Sequence, residues 1–155
     1  MSLETTLVLI KPDAIQRNLS GKIINRIENT GLKIVGLKMM SIDKKLAEKH
    51  YQEHKEKPFF RSLVDFISSS PVIAIAISGP NSIQKIRTLM GQTNPQDSSP
   101  GTVRGDYGID LERNLIHGSA NNSDAIREIE LFFDKKEIQN FEKSIDKWTG
   151  WATEV

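Results

Sequence analysis

The chain contains no cysteine, which excludes a disulfide framework, a zinc–thiolate centre and a thiolate nucleophile. An excess of charge of one sign is also missing: 21 Lys and Arg stand against 20 Asp and Glu, for a formal net charge of +1. No global field draws such a chain to nucleic acid or anionic lipid, so any anion site has to be local. Long hydrophobic runs are absent as well. The longest, Val72 to Ile77, falls far short of a membrane span, and Leu7 to Ile10, preceded by Glu4 and closed by Lys11-Pro12, has neither the length nor the flanks of a signal peptide. The expectation is a cytoplasmic protein with no membrane and no obligatory nucleic-acid partner. There is no internal repeat, linker or low-complexity segment. A length of 155 residues suits a single domain over 1–155, enough to bury roughly 70 % of the unfolded surface without a staple.

Periodicity divides the chain into short elements. Thr5 to Ile10 reads as a strand that stops at Lys11-Pro12-Asp13, with Asp13 a candidate cap for a short helix. Ser20 precedes a helix whose face is Ile23, Ile24 and Ile27, and Thr30-Gly31 stops it. Leu32 to Ile42 reads as a second strand. Asp43 then opens a helix striped by Leu46, Ala47, His50 and Tyr51, which Lys57-Pro58 breaks. Phe59, Phe60, Leu63, Val64, Phe66 and Ile67 recur at helical spacing. Val72 to Ile77 is continuously apolar, a strand covered on both faces, and Gly79-Pro80 leads into a helix over about Asn81 to Met90. A short strand at Leu115-Ile116-His117 precedes a final helix with Ile126, Ile129, Phe132 and Phe133 as its apolar stripe. This order predicts an α/β (α+β) fold of the split βαβ kind, with helices on one face of a mostly antiparallel sheet.

The chemistry concentrates between Gly91 and Ser119. Asn114-Leu115-Ile116-His117-Gly118-Ser119 sets a lone imidazole among apolar residues and a Gly-Ser step. Neutral imidazole has a reference pKa of about 6.5, so near pH 7 it offers a lone pair to phosphorus without a separate base. It needs aim, which a carboxylate supplies. Glu128 falls on the border of the buried face of the final helix, within reach of His117 or Ser119. The alternative for His117 is a satisfied core histidine at a strand end.

Arg87 falls on or near the apolar face of its helix, where a guanidinium either meets an anion or snorkels to a carboxylate. Gly91 to Arg113 sustains no hydrophobic periodicity, and a connection this long in a small domain is usually functional or disordered. Arg87, Thr93 and Arg104 thus make a candidate phosphate clamp of two forks and a hydroxyl. No Walker-type loop is present, so nucleotide binding of the P-loop kind is excluded. No run of carboxylates suits a dedicated metal cage, and any Mg2+ is expected on substrate phosphates. His50-Tyr51-Gln52-Glu53-His54 matches a zinc-peptidase pattern, weak by itself, against a plain reading of His54 as an exposed helix residue. Tyr51 is either a core aromatic or a hydroxyl in a pocket. Phe59 is either core or a ring on which a base stacks.

Taken together, Thr6 to Arg17 with Lys11-Pro12-Asp13, His50-Tyr51, Lys57-Pro58-Phe59-Phe60, Gly91 to Pro95, Pro100 to Asp106 and Asn114 to Ser119 resemble the nucleoside diphosphate kinase family over almost the whole chain. The resemblance implies a ferredoxin-like fold with a four-stranded sheet, and a reversible ping-pong transfer in which a nucleoside triphosphate phosphorylates His117 and a nucleoside diphosphate collects the group. It implies that Lys11 and Asn114 hold the sugar hydroxyl and nearby phosphate oxygens, that Tyr51 lies beside the imidazole, and that Arg87, Thr93 and Arg104 clamp phosphates. Phe59 would stack on the base, with Leu63 and Leu111 in the same subsite, while Glu128 and Ser119 orient His117. Mg2+ would bridge the phosphates, with no protein metal ligand, and the chain would assemble as a homo-hexamer or tetramer. The chain departs from the pattern at Ala120, where the family usually carries an acid, at Leu111 in place of valine, and in the tail from Trp148 to Val155. Those departures motivate an alternative: a non-catalytic nucleotide-binding regulatory protein on the same fold.

Overall fold

Four apolar stretches supply the sheet. In the computed structural model, which describes residues 3–151, they are β1 (Leu3–Ile10), β2 (Lys33–Met40), β3 (Val72–Pro80) and β4 (Ile116–Gly118). Their spatial order is β2-β3-β1-β4, and every neighbouring pair is antiparallel. Between and after them lie α1 (Pro12–Gln16), α2 (Ser20–Glu28), α3 (Lys44–His50), α4 (Phe60–Ile67), α5 (Ser82–Met90), α6 (Val103–Tyr107) and α7 (Asn122–Phe132). Asp43 caps α3 by accepting from the Leu46 N–H at 2.7 Å, as its sequence position predicts.

The helices cover both faces of the sheet, not one. Side chains alternate along a strand, so Val8, Ile10, Ile73, Ile75 and Ile77 point to one side with Ile23, Ile27, Ile86 and Met90 of α2 and α5. Leu7, Leu9, Val72, Ala74 and Ala76 point to the other, against Ala47, Val64, Ile67 and Phe132 of α3, α4 and α7. Single-face alternation in β1 and β3 would have signalled an exposed side. The unbroken apolar run signals two cores. Ile126 does not join the α7 stripe, being 55 % exposed.

Asp13 does not cap α1, whose N-cap is Lys11; its carboxylate serves the site below. The Gly91–Arg113 connection is also more ordered than its composition predicts. Thr102 accepts the Gly105 N–H at 3.0 Å and starts α6, while Arg26 of α2 donates to the Gly101 carbonyl at 3.0 Å and pairs with Asp106 at 2.5 Å. Caps and ion pairs hold the segment, so it shows no hydrophobic period.

The tail packs against its own chain. Lys33 donates to the Phe141 carbonyl at 2.7 Å and to Asp146 at 2.8 Å, and the Trp151 indole donates to the Gly31 carbonyl at 3.2 Å. Residues 152–155, the end of the divergent tail, lie outside the described residues.

A Cβ at Gly105 would come within 2.0 Å of the Ser99 carbonyl oxygen. Backbone cannot step aside as a side-chain tip can, so Gly105→Ala should destabilise the fold by about 1–3 kcal/mol, read as a lowered urea midpoint at unchanged m-value.

Candidate active site

The site is assembled at the junction of β1 and β4. Leu115, just before β4, has φ of +74° although it carries a branched side chain and is fully buried. Such a conformation costs of order 1–3 kcal/mol and persists only where its surroundings enforce it. Here three hydrogen bonds do so. The Leu115 N–H donates to Asp13 at 3.0 Å, its carbonyl accepts from the Lys11 N–H at 2.9 Å, and the Ile116 N–H closes a tight turn on the Asn114 carbonyl at 2.9 Å. The turn sends Asn114 and His117 toward a common cleft.

His117 sits opposite Leu9 in the ladder, and so shares the face on which α3 and α7 pack. Its Nε2 lies 2.5 Å from Glu128 Oε2, while its side chain remains 26 % exposed. Glu128 is itself 2 % exposed, and a buried carboxylate needs a donor. The pair therefore places a hydrogen on Nε2 and the lone pair on Nδ1. Ser119 is not part of this arrangement. Its hydroxyl accepts from the Leu7 N–H at 3.2 Å and lies 3.5 Å from the Leu7 carbonyl, so it stitches β4 to β1, and the ring's hydrogen-bond partner among the described residues is Glu128. At Gly118 a Cβ would meet Met90 Sδ at 2.6 Å, so glycine lets α5 pack against β4.

Lys11, Tyr51, Phe59, Leu63, Arg87, Thr93, Arg104, Leu111, Asn114 and His117 all line one cleft of about 620 Å³, together with His54 and Ala120. Phe59 and Leu111 are 46 and 57 % exposed, so both stand on its rim rather than in the core. Lys11 is buried and donates to Asn114 Oδ1 at 2.7 Å and to the Glu112 carbonyl at 3.2 Å, while Asn114 Nδ2 donates to the Thr93 carbonyl at 2.9 Å. Burial brings the Lys11 pKa down to about 8, with Arg104 adding to the fall while Asp13 and Glu112 oppose it. Burial, helped by the Glu128 charge, raises that of the Tyr51 hydroxyl.

The two arginines differ. Arg87 is exposed to the cleft rather than buried on the apolar face, and its guanidinium has no hydrogen-bond partner among the described residues. Arg104 is 7 % exposed and donates to the carbonyls of Asn114 (3.1 Å), Gly91 (3.3 Å), Gln92 (3.2 Å) and Ile116 (2.6 Å). It is mostly a brace for the connection, with one NH2 hydrogen left over from the five a guanidinium carries. Burial, then the charge of Arg87, lowers its pKa to about 10. The Asp13 charge opposes that fall, but neither arginine forms an ion pair among the described residues, and two such adjacent cations leave a place for an anion.

The zinc-peptidase pattern is not formed. Helix α3 ends at His50, so His50 turns inward against His117 with ring centroids 4.6 Å apart, whereas His54, on a following 3-10 turn, faces the cleft. His54 is thus a cleft residue that an exposed-helix reading misses. Asp13 is likewise missed, because nothing in its local sequence points to a partner 102 residues away.

A model of the nucleoside diphosphate kinase family matches residues 4–138. The Archaeoglobus fulgidus nucleoside diphosphate kinase is 51 % identical over 146 residues, covering 94 % of this chain and 97 % of that one. The Pelotomaculum thermopropionicum enzyme is 53 % identical over 146 residues, 94 % of this chain and 98 % of its own. A Halobacterium salinarum nucleoside diphosphate kinase solved with CDP superposes with a TM-score of 0.93 at 49 % identity, covering 96 % of this chain and 99 % of that one. The Borrelia burgdorferi enzyme with vanadate and ADP gives 0.92 at 36 %, covering 97 and 98 %. With the antiparallel four-stranded sheet and the histidine cleft already described, these likenesses mean that the chain belongs to the nucleoside diphosphate kinase family, a family of phosphotransferases.

Proposed function

We propose that His117 Nδ1 carries the phosphoryl group between two nucleotides that use the same cleft in turn. The observation that carries this reading is the Nε2–Glu128 contact at 2.5 Å, which fixes the tautomer with its lone pair toward the cleft. In the first half-reaction Nδ1 bonds to the terminal phosphorus as the bridging P–O bond breaks, and the nucleoside diphosphate departs with that electron pair. In the second, a diphosphate oxygen attacks the same phosphorus and Nδ1 leaves. Glu128 holds the Nε2 hydrogen throughout, so the cationic phosphoimidazole is paired with a carboxylate. The catalytic work is positioning and charge stabilisation, as in phosphoryl transfer generally.

The remaining roles follow from position in the cleft. Arg87 and the Thr93 hydroxyl, together with the spare Arg104 hydrogen, bind phosphate oxygens; Lys11 and Asn114 form a coupled donor pair for the sugar hydroxyl and phosphate; Tyr51 flanks the imidazole. Phe59, Leu63 and Leu111 offer apolar surface to the base, a contact that discriminates little between bases. Support for the nucleotide comes from relatives solved with CDP and with vanadate and ADP.

The donors fit Mg2+ only as an ion arriving with nucleotide. Asp110 and Glu112 each spend one oxygen on chain donors, Asp110 on the N–H groups of Glu112 and Arg113 and Glu112 on the Ser62 hydroxyl, and among the described residues they do not cluster with a third ligand into an oxygen cage. Mg2+ bound to the phosphates neutralises their charge. Self-association as a tetramer or hexamer is supported by the outer half of the edge strand β2, where Leu37 and Met39 are 50 and 61 % exposed.

Incubation with γ-labelled ATP should give an acid-labile, alkali-stable label on the wild type and none on His117→Ala; equal labelling of both removes His117 from the reaction. Nucleotide binding without GDP-to-GTP conversion would favour the regulatory alternative. Glu128→Gln, which keeps shape but loses control of the tautomer, should lower kcat by about 10²- to 10⁴-fold with KM changed far less. Lys11 gives a pH signature. Its folded pKa of about 8 lies below its ordinary 10.5, so above pH 8 the folded cleft loses a cation that the unfolded chain keeps to higher pH. Over that window the unfolded state binds more protons, and this group's contribution to stability rises with pH. Hence kcat/KM should fall above about pH 8 while thermal stability does not. Lys11→Arg should move or abolish that limb, and a limb unchanged in the variant would assign it to another group.

A further inference from the structure

His50 is the residue beside the nucleophile that phosphoryl transfer leaves without a task. It is 3 % exposed, and neither ring nitrogen has a hydrogen-bond partner, a state that buried polar groups rarely keep without a use. Its Nδ1 lies 3.7 Å from Glu128 Oε2, the same oxygen that holds His117 Nε2 at 2.5 Å. One donor atom from each of His50, His117 and Glu128 lies within 4.8 Å of the others.

We propose that His50, His117 and Glu128 form a site for a divalent transition-metal ion of the zinc class, and that filling it switches off phosphoryl acceptance by His117. Two imidazoles and one carboxylate are a donor set for Zn2+, Co2+ or Ni2+ rather than for Mg2+, which prefers oxygen alone. Zinc bonds of about 2.0–2.2 Å in a tetrahedral arrangement separate neighbouring ligand atoms by roughly 3.3–3.6 Å. The His50–Glu128 spacing of 3.7 Å is already close to this. The His117–Glu128 pair has to open from 2.5 Å by about 1 Å, within the reach of a rotating carboxylate.

Inhibition follows from proton placement. Without metal, the neutral His117 ring carries its hydrogen on Nε2 and its lone pair on Nδ1. The metal takes the Nε2 lone pair and the hydrogen moves to Nδ1, with no change in proton count and no redox step. An Nδ1–H cannot attack phosphorus, although the cleft remains open. The inhibition rests on the phosphotransfer reading of His117, whereas formation of the metal site needs no nucleotide.

Titration of metal-free protein with Co2+ should produce the visible absorption of a low-symmetry site at one ion per chain, bleached by Zn2+. His50→Phe should weaken Co2+ by more than the roughly 10- to 100-fold that loss of an outer-sphere partner costs; binding as tight as wild type overturns the proposal. If His50→Phe does not fold, nitrogen-resolved imidazole NMR of the wild type decides. Zn2+ should convert His117 from the Nε2–H to the Nδ1–H tautomer, and a ring that keeps Nε2–H at saturation overturns it. Wild type that exchanges phosphate but binds no Co2+ defeats this inference alone, whereas Co2+ binding by a protein that never labels His117 defeats the phosphotransfer reading alone.

Discussion

The hydrogen bond from the Leu115 N–H to Asp13 is the constraint on which the cleft depends. Strand β4 is only three residues long, too short to fix its own register by ladder bonds, and the residue that aims it stands at φ +74°. Asp13 and the Lys11 N–H grip that residue from both sides, so α1 and β1 determine where Asn114 and His117 point. The strain at Leu115 is stable because the core closes over it, and the core closes because Gly118 admits Met90 and Ile86. A local conformational cost is thereby converted into a fixed direction for one ring nitrogen.

Around that ring, charge is arranged in layers. Behind it is a buried anion, Glu128; in front are the cations Lys11, Arg87 and Arg104. A buried carboxylate needs a donor, and the imidazole N–H at 2.5 Å supplies it. The acids nearest these cations are Asp13, which acts on both Lys11 and Arg104, and Glu112, which acts on Lys11; the repulsion that they leave uncompensated favours binding of a polyanion.

The two-sided burial of the sheet was partly legible from sequence, but its strand order was not. The run Val72–Ile77 announces a strand buried on both faces, but the split βαβ reading assigned helices to one face because periodicity reports how apolar a helix is and not which side it takes. Arg87, Thr93 and Arg104 were identifiable as a group from the composition of the connection. That Arg104 spends most of its donors on backbone carbonyls was not, since carbonyl direction is set by the folded loop. Glu128 was found from helical geometry alone. Spacing does not fix the partner of Ser119, because a hydroxyl two residues from a histidine is within reach of many groups, and in the structure it bonds to the Leu7 backbone.

His50 and His54 show what spacing can and cannot say. Four residues apart, they read as one helix face only if the helix continues; it ends at His50, with Tyr51 as its C-cap, and the two rings part, one to the rear of His117 and one to the cleft. The single change of backbone at Tyr51 therefore decides whether the pattern is a pair of ligands or two unrelated groups. It also brings Tyr51 itself to the cleft wall, where burial and Glu128 keep its hydroxyl protonated and hence a donor rather than an anion. A neutral donor beside the imidazole, with the carboxylate held behind it, is an arrangement that would let a phosphate group approach without repulsion.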